Sequence, residues 1–101
     1  MSIVFRRTCT KQELSESVSF SVDSEDFITY VTDTFVSTGK CTAWRTIVSE
    51  NEQTRVMEST WSTQQFVDEA LQDLQLLEGI DAMSQYNNVN NITSTLDTII
   101  Y

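Results

Sequence analysis

The sequence predicts a single α+β domain in which two helices cover one face of an antiparallel sheet. A chain of 101 residues provides for one domain, here residues 1–101. With no proline and only two glycines, most of the chain should lie in regular elements, because long loops normally need both residues. Apolar residues recur with strand or helix periodicity in the order strand, helix, strand, strand, helix, strand. This β-α-β-β-α-β order is typical of the ferredoxin-like fold.

The N-terminal part predicts one strand and one ambiguous segment. Residues 2–9 are expected to form the first strand, and the polar residues 10–15 a turn or a single helical turn. Residues 17–22 alternate with period two between polar and apolar side chains. That alternation predicts either an extra N-terminal strand or an extended approach to the first helix.

The first helix is expected to begin at a cap formed by Asp23 or Ser24 and to end near Thr38. Gly39 then provides the left-handed residue that ends it. Its apolar residues recur at helical spacing and form one stripe, which contains Phe27, Ile28, Val31 and Phe35.

A hairpin follows, with strands over residues 41–49 and 54–61. If Asn51 and Glu52 form a two-residue loop, the register of the two strands is defined. One face then pairs Arg45 with Glu58, Ile47 with Val56 and Ala43 with Thr60, and the other carries Trp44, Val48, Met57 and Trp61.

The second helix is expected to start at a capping box over residues 62–65, with Ser62 as the cap, and to continue to Leu77. Gly79 should break or kink it before a short continuation, and four asparagines between positions 87 and 91 should form a polar turn. Residues 92–101 form the last strand. The apolar stripe of the second helix consists of Phe66, Val67, Ala70, Leu71, Leu74 and Leu77.

Both faces of the predicted sheet carry apolar side chains, although the helices can cover only one of them. Val4 opposes Ile3 and Phe5 on the first strand, and Ile47 opposes Trp44 on the second. An exposed apolar face is unusual on a monomer, so we expect a homodimer that pairs through the sheet face and buries the Arg45–Glu58 pair. The alternative is that the N-terminal segment folds over this face.

The chain is strongly acidic, with 15 acidic and 6 basic residues and a net charge of −9. This balance argues against nucleic acid and against anionic membranes as partners, because both are bound through cations. The short apolar stretch at the N-terminus does not have the pattern of a signal peptide, so we expect a cytoplasmic protein.

The sequence contains no histidine, and its two cysteines, Cys9 and Cys41, lie far apart. We therefore expect buried free thiols, no metal site and no cofactor, and catalytic arrangements that depend on histidine are excluded. The acidic residues at 23–26 and 50–52 could hold a hard cation weakly, but a helix start and a solvated hairpin tip explain them better.

Four large side chains could line a cleft for a small aromatic ligand. Trp44, Met57 and Trp61 share one strand face, and Tyr86 is expected nearby. The alternative is that they form ordinary core. The Arg45–Glu58 pair could likewise be an anion-binding or catalytic pair, although a cross-strand ion pair at the dimer seam is the simpler interpretation.

The segment from Ala43 to Tyr86 resembles the dimeric α+β-barrel superfamily, which includes antibiotic-biosynthesis-monooxygenase-like and stress-response-like proteins. There the strand Met57-Glu58-Ser59-Thr60-Trp61 leads directly into Ser62-Thr63-Gln64-Gln65-Phe66, and a later helix ends in Tyr86-Asn87. The resemblance implies a ferredoxin-like dimer. It also implies either binding of an aromatic molecule or cofactor-independent oxidation of one, whereas the histidine-dependent chemistry of some members cannot apply here.

Three functional hypotheses follow. The first is a small-molecule-binding or cofactor-independent monooxygenase-like protein, and the second is a non-catalytic structural or interaction dimer. The third is an acidic mimic of nucleic acid, which would require carboxylates arrayed on one surface. The sequence assigns no catalytic residue and no substrate, and it leaves open whether the protein is an enzyme.

Overall fold

The computed structural model describes residues 2–101 and contains one four-stranded antiparallel sheet with three helices against one face. The strands are β1 (Ile3–Lys11), β2 (Cys41–Val48), β3 (Thr54–Trp61) and β4 (Ile92–Ile100), in the spatial order β2-β3-β1-β4. The helices are α1 (Glu25–Val31), α2 (Gln64–Ala70) and α3 (Leu74–Val89). The predicted α+β, ferredoxin-like architecture is confirmed, with three helices where two were expected.

The register predicted for the β2–β3 hairpin is confirmed. Arg45 pairs with Glu58, and Ile47 pairs with Val56. The two-residue loop is wrong, because Ser49 and Thr54 still form a backbone hydrogen bond and residues 50–53 make the turn. Glu52 takes the left-handed conformation in this turn, with a φ of 58°. The longer loop is centred on the same two residues, so the pairing of the strands is unchanged.

The first helix begins and ends as predicted. The Ser24 hydroxyl accepts a hydrogen bond from the backbone N–H of Phe27, which makes Ser24 the N-cap. After α1 the chain continues through a π-helical turn, Thr32–Val36, and Gly39 has a φ of 79°. The glycine therefore provides the left-handed residue at which the helix stops.

Residues 17–22 form no extra strand, so of the two predicted alternatives the approach to the first helix is the one observed. Their polar backbone groups are bonded by side chains instead of by a neighbouring strand: the Tyr86 hydroxyl donates to the carbonyl of Ser19, and Arg55 donates to the carbonyl of Ser21, both at 2.5 Å. Phe20 lies beneath the cations of Lys11 and Arg55. The segment, called the strap below, is thus fixed by side chains, and Phe20 packs under Lys11 and Arg55 while Val22 is exposed.

The predicted second helix is two helices, because the chain breaks between Ala70 and Leu74. Thr63, not Ser62, caps α2 by accepting from the backbone N–H of Phe66. Asp73 caps α3, and its other oxygen accepts from the Tyr30 hydroxyl of α1 at 2.5 Å. The apolar stripe continues across this break, so periodicity could not reveal it.

Gly79 does not break α3, which passes through it to Val89. A side chain at this position would overlap the ring of Phe27, so the glycine is required for the close approach of α1 to α3. The polar turn was predicted to start at Asn87, but α3 continues to Val89. Asn87 is helical and buried, and its side-chain amide donates to the Cys9 sulfur at 3.7 Å.

The core lies between the helices and the face of the sheet that they cover, called the inner face below. Phe35 and Trp61 meet edge to face at 5.4 Å between ring centroids. Cys9 and Cys41 are buried free thiols, as predicted. Among the helices of residues 2–101, none has the length and apolar character needed to cross a bilayer. The core cluster consists of Ile3, Val31, Phe35, Cys41, Trp61, Val67, Ala70 and Leu76.

We expect Gly79→Ala to lower the free energy of unfolding by about 1–3 kcal/mol, because the new methyl group would displace Phe27. In a Phe27→Ala background the same change should be neutral or stabilising by up to about 1 kcal/mol, through the better helix propensity of alanine. Urea unfolding of the four proteins in this double-mutant cycle measures both values. Equal destabilisation in both backgrounds would contradict the proposed contact.

Candidate ligand-binding cavity

A cavity of about 260 Å³ lies between the inner face of the sheet and the helices. Its volume is close to the lower end of the roughly 300–1,000 Å³ typical of small-molecule sites. Aromatic, aliphatic and thioether side chains form most of the wall. The sheet contributes Phe5, Trp44, Met57, Trp61 and Leu96, and the helices contribute Phe27, Leu71, Ile80 and Met83 among others.

Trp61 forms the buried part of this wall. Only 3 % of it is exposed, and its indole N–H donates to the Ser59 hydroxyl at 3.0 Å. The hydrogen bond and the edge-to-face contact with Phe35 fix the plane of the indole. Trp61 therefore presents a rigid aromatic surface.

Trp44 lies on the edge strand β2 and is 43 % exposed, which places it where the cavity meets solvent. An irregularity between Cys41 and Ala43 shifts the register of β2 at this point. Residues 41 and 44 would occupy opposite faces of a regular strand. The shift lets Cys41 be buried in the core while Trp44 still faces the cavity.

The structure brings together three of the four residues predicted to line a cleft. Trp44, Met57 and Trp61 all line the cavity, whereas Tyr86 does not. Tyr86 instead holds the strap through the carbonyl of Ser19. From α3 it is Met83 that lines the cavity. Ile80, Met83 and Tyr86 recur at helical spacing after Gly79, but the sequence did not indicate which of them would reach the cavity.

Sequence reasoning also missed the polar residues of the cavity wall, which include Arg7, Asp23 and Ser59. Arg7 lies on β1 between Met57 of β3 and Leu96 of β4, and its Nη1 donates to the Ser94 hydroxyl at 3.0 Å. Asp23 directly precedes the N-cap of α1. The cavity is therefore apolar apart from a few groups that could orient a ligand.

The opposite, outer face of the sheet carries an ion cluster. Glu58 accepts from Arg6 at 2.8 Å through one oxygen and from Arg45 at 2.8 and 2.5 Å through the other. The hydrogen bonds from Arg45 and then those from Arg6 hold the pKa of Glu58 below its ordinary value. The predicted cross-strand pair is thus confirmed, and Arg6 is an additional member that the sequence did not reveal.

The remainder of the outer face is mixed, where the sequence had suggested a largely apolar surface. Alternation along the paired strands places Val4, Ile47, Val56 and Ile99 on it, together with several threonines. Ile47 is 50 % exposed. The strap lies against inner-face side chains such as Arg55, so it does not cover the outer face.

Three solved structures share this fold. A protein of unknown function from Bacteroides thetaiotaomicron, named a possible oxidoreductase, has a TM-score of 0.67 at 10% identity, and the match covers 99% of this chain and 97% of that one. A protein from Deinococcus radiodurans named as an antibiotic biosynthesis monooxygenase has a TM-score of 0.61 at 9% identity over 98% and 91% of the two chains. SnoaB, a cofactor-independent oxygenase from Streptomyces nogalater, has a TM-score of 0.65 at 12% identity over 99% and 92%.

At these identities the likeness establishes only that the chain shares the fold of these three proteins. No protein-family model matches the sequence, and no curated protein matches it either. Within residues 2–101, no group of three or more histidine, cysteine or acidic side chains is arranged to hold a metal ion.

The depressed pKa of Glu58 predicts a pH-dependent contribution to stability. A carboxylate whose pKa is lower in the folded state stabilises the fold above its unfolded pKa, about 4.3 for glutamate, and this stabilisation is lost as the pH falls through the folded value. Glu58→Gln should therefore destabilise the protein at pH 7, and the difference from the wild type should shrink below about pH 4.

Urea unfolding at a series of pH values measures this difference. Glu69→Gln is the matched control, because Glu69 pairs with Lys40 on the surface and its loss should change stability by less than about 1 kcal/mol at any pH. A difference between wild type and Glu58→Gln that stays constant with pH would rule out the ion cluster as its source.

Proposed function

We propose that the cavity binds a planar aromatic small molecule and that the protein acts on it as a cofactor-independent, monooxygenase-like enzyme. The observation that carries the proposal is the position of the two tryptophans. The chain contains only two, and both line the same apolar cavity. Tryptophan offers a large flat surface on which an aromatic ring stacks, and Trp61 is already held in a fixed plane.

The chemistry of the wall suits an oxidation in which the substrate itself supplies the electrons. In such a reaction an activated CH₂ carbon between aromatic rings becomes a ketone: one atom of O₂ forms the new C=O bond, and the other leaves as water with the two hydrogens. The apolar wall excludes bulk water from the reactive substrate anion. Asp23 and Glu58 are the acidic residues that border the cavity. Because Glu58 is paired with Arg6 and Arg45, we assign Asp23 to accept the substrate proton.

The comparisons support this proposal through the fold. One neighbour is named as a cofactor-independent oxygenase and another as an antibiotic biosynthesis monooxygenase. A four-stranded sheet with helices on one face leaves space for a ligand between the two layers. The active residues are not inherited from these neighbours, so the proposal depends on the cavity of this chain.

Fluorescence titration with planar aromatic probes such as naphthol tests the binding step directly, because both tryptophans adjoin the cavity. The probe should quench the tryptophan fluorescence of the wild type. Trp44→Leu should bind the probe about ten-fold more weakly, because it loses the stacking surface. Tyr86→Phe is the control, since Tyr86 lies outside the cavity and should bind as the wild type does. Absence of quenching with every probe would remove the proposal.

Oxygen uptake with anthrones, which carry such a CH₂ carbon between aromatic rings, then tests the catalytic step. The wild type should consume O₂, and Asp23→Asn should consume it at least about ten-fold more slowly, because general-base catalysis typically contributes 10²–10⁴-fold. Binding of these compounds without oxygen uptake would leave a binding protein and reject the oxygenase.

We further propose that two copies pair through the outer faces of their sheets. No helix covers this face within residues 2–101, and the strap lies on the other side. Ile47, Val56 and Ile99 on this face would be withdrawn from water by a second copy. In the Arg6–Glu58–Arg45 cluster at its centre, Glu58 is paired with both arginines, and Asp97 lies opposite Arg6 on β4 as a second carboxylate.

Light scattering should then report twice the chain mass of 11.6 kDa. Ile47→Lys should shift the particle to a folded monomer, because it would place an unpaired charge in the interface. Leu74→Lys should leave the dimer intact, since Leu74 is 76 % exposed at the start of α3 on the helical side of the molecule. A monomer at all concentrations would contradict the pairing.

A further inference from the structure

The six basic residues fall into two groups, three with a carboxylate partner and three without one in residues 2–101. Arg6, Arg45 and Lys40 each have a carboxylate within ion-pair distance. The three cations on the inner face of the sheet, Arg7, Lys11 and Arg55, have none anywhere in residues 2–101. In a chain with 15 acidic residues, counter-ions for these cations would be easy to supply. Phe20 lies beneath the cations of Lys11 and Arg55, so within residues 2–101 Arg7 is the inner-face cation with neither a carboxylate nor an aromatic partner.

Arg55 is the most deeply buried of these three cations, since it is only 8 % exposed. Its Nη atoms donate to the carbonyl and hydroxyl of Ser21, but its buried Nε has no hydrogen-bond partner. Asn87 is 3 % exposed, and its Oδ1 is also without a partner. Buried cations and buried polar atoms normally have partners, so this end of the inner face is polar and incompletely satisfied.

The strand register shows that this polar end adjoins the cavity. Arg7 pairs with Met57, and the next inward-facing pair on the same strands is Cys9 with Arg55. On α3, Met83 lines the cavity and Asn87 follows four residues later on the same helical face. The inner face therefore changes from aromatic at Trp61 through Arg7 to polar at Arg55.

We infer that the ligand is a planar aromatic acid whose carboxylate contacts Arg7, so that Arg7 selects the ligand. This inference rests on the proposed binding of an aromatic molecule in the cavity. Arg7 uses one N–H on Ser94 and retains other donors for a carboxylate. Phe5 and Met57, which are half-buried, line the cavity with it and would shield one side of such a pair from water. An ester of the same acid would forfeit that contact, and the positive charge of the polar end would not attract it.

Binding of naphthoate and of its neutral methyl ester, measured by tryptophan fluorescence at neutral pH, tests this inference. The wild type should bind the acid at least ten-fold more tightly than the ester. Arg7→Met should abolish that preference by weakening binding of the acid at least ten-fold, and detectable binding of the ester shows that its cavity is intact. Lys40→Met removes one positive charge outside the cavity and should preserve the preference.

The outcomes separate the two proposals. If wild type binds acid and ester equally, or if the preference survives in Arg7→Met, the assignment of Arg7 is overturned while the aromatic cavity stands. If neither compound binds to the wild type, both the aromatic cavity and the assignment of Arg7 are overturned.

Discussion

The contact between Phe27 and Gly79 sets the distance between α1 and α3, and much of the inner-face structure depends on that distance. Without a side chain at position 79, the ring of Phe27 can lie against α3 and form part of the cavity wall. The Tyr30–Asp73 hydrogen bond holds α1 to the start of the same helix. These two contacts fix a helix layer that packs closely on the sheet around Phe35 and Trp61 and leaves space beside Met57.

The arginines on the two faces of the sheet have different partners, and this difference connects the fold to the proposed function. On the outer face a carboxylate and two guanidinium groups satisfy one another. On the inner face, arginines lie beside aromatic and aliphatic side chains without acidic partners in the described chain. A cation in such surroundings gains strongly from an incoming anion, because the low dielectric of the site strengthens the attraction. A ligand that combines a flat ring with an acidic group would match both properties.

Sequence periodicity predicted the four strands and the face on which the hairpin residues lie, but it also allowed a strand over residues 17–22 that is not formed. The register of β2 and β3 was predictable because a one-residue slip would exchange the charged pair Arg45–Glu58 with the aromatic face. Other features were ambiguous in principle. A glycine such as Gly79 can end a helix or permit close packing, and an apolar stripe can continue across the break at residues 71–73. Arg7 was not among the predicted cavity residues, because alternation along β1 does not say whether Arg6 or Arg7 faces the helices.

The central claim is that the space between the helix layer and the sheet is a ligand site, and the indole signals of Trp44 and Trp61 report on it directly. In a ¹⁵N–¹H correlation spectrum these are the only two tryptophan indoles of the chain, and both line the cavity. Titration with naphthoate should shift both indole signals together, along with backbone signals of β1 and α3 near Arg7 and Met83. Saturating naphthoate that leaves both indoles unmoved, or that moves only signals of the outer face, would contradict the account.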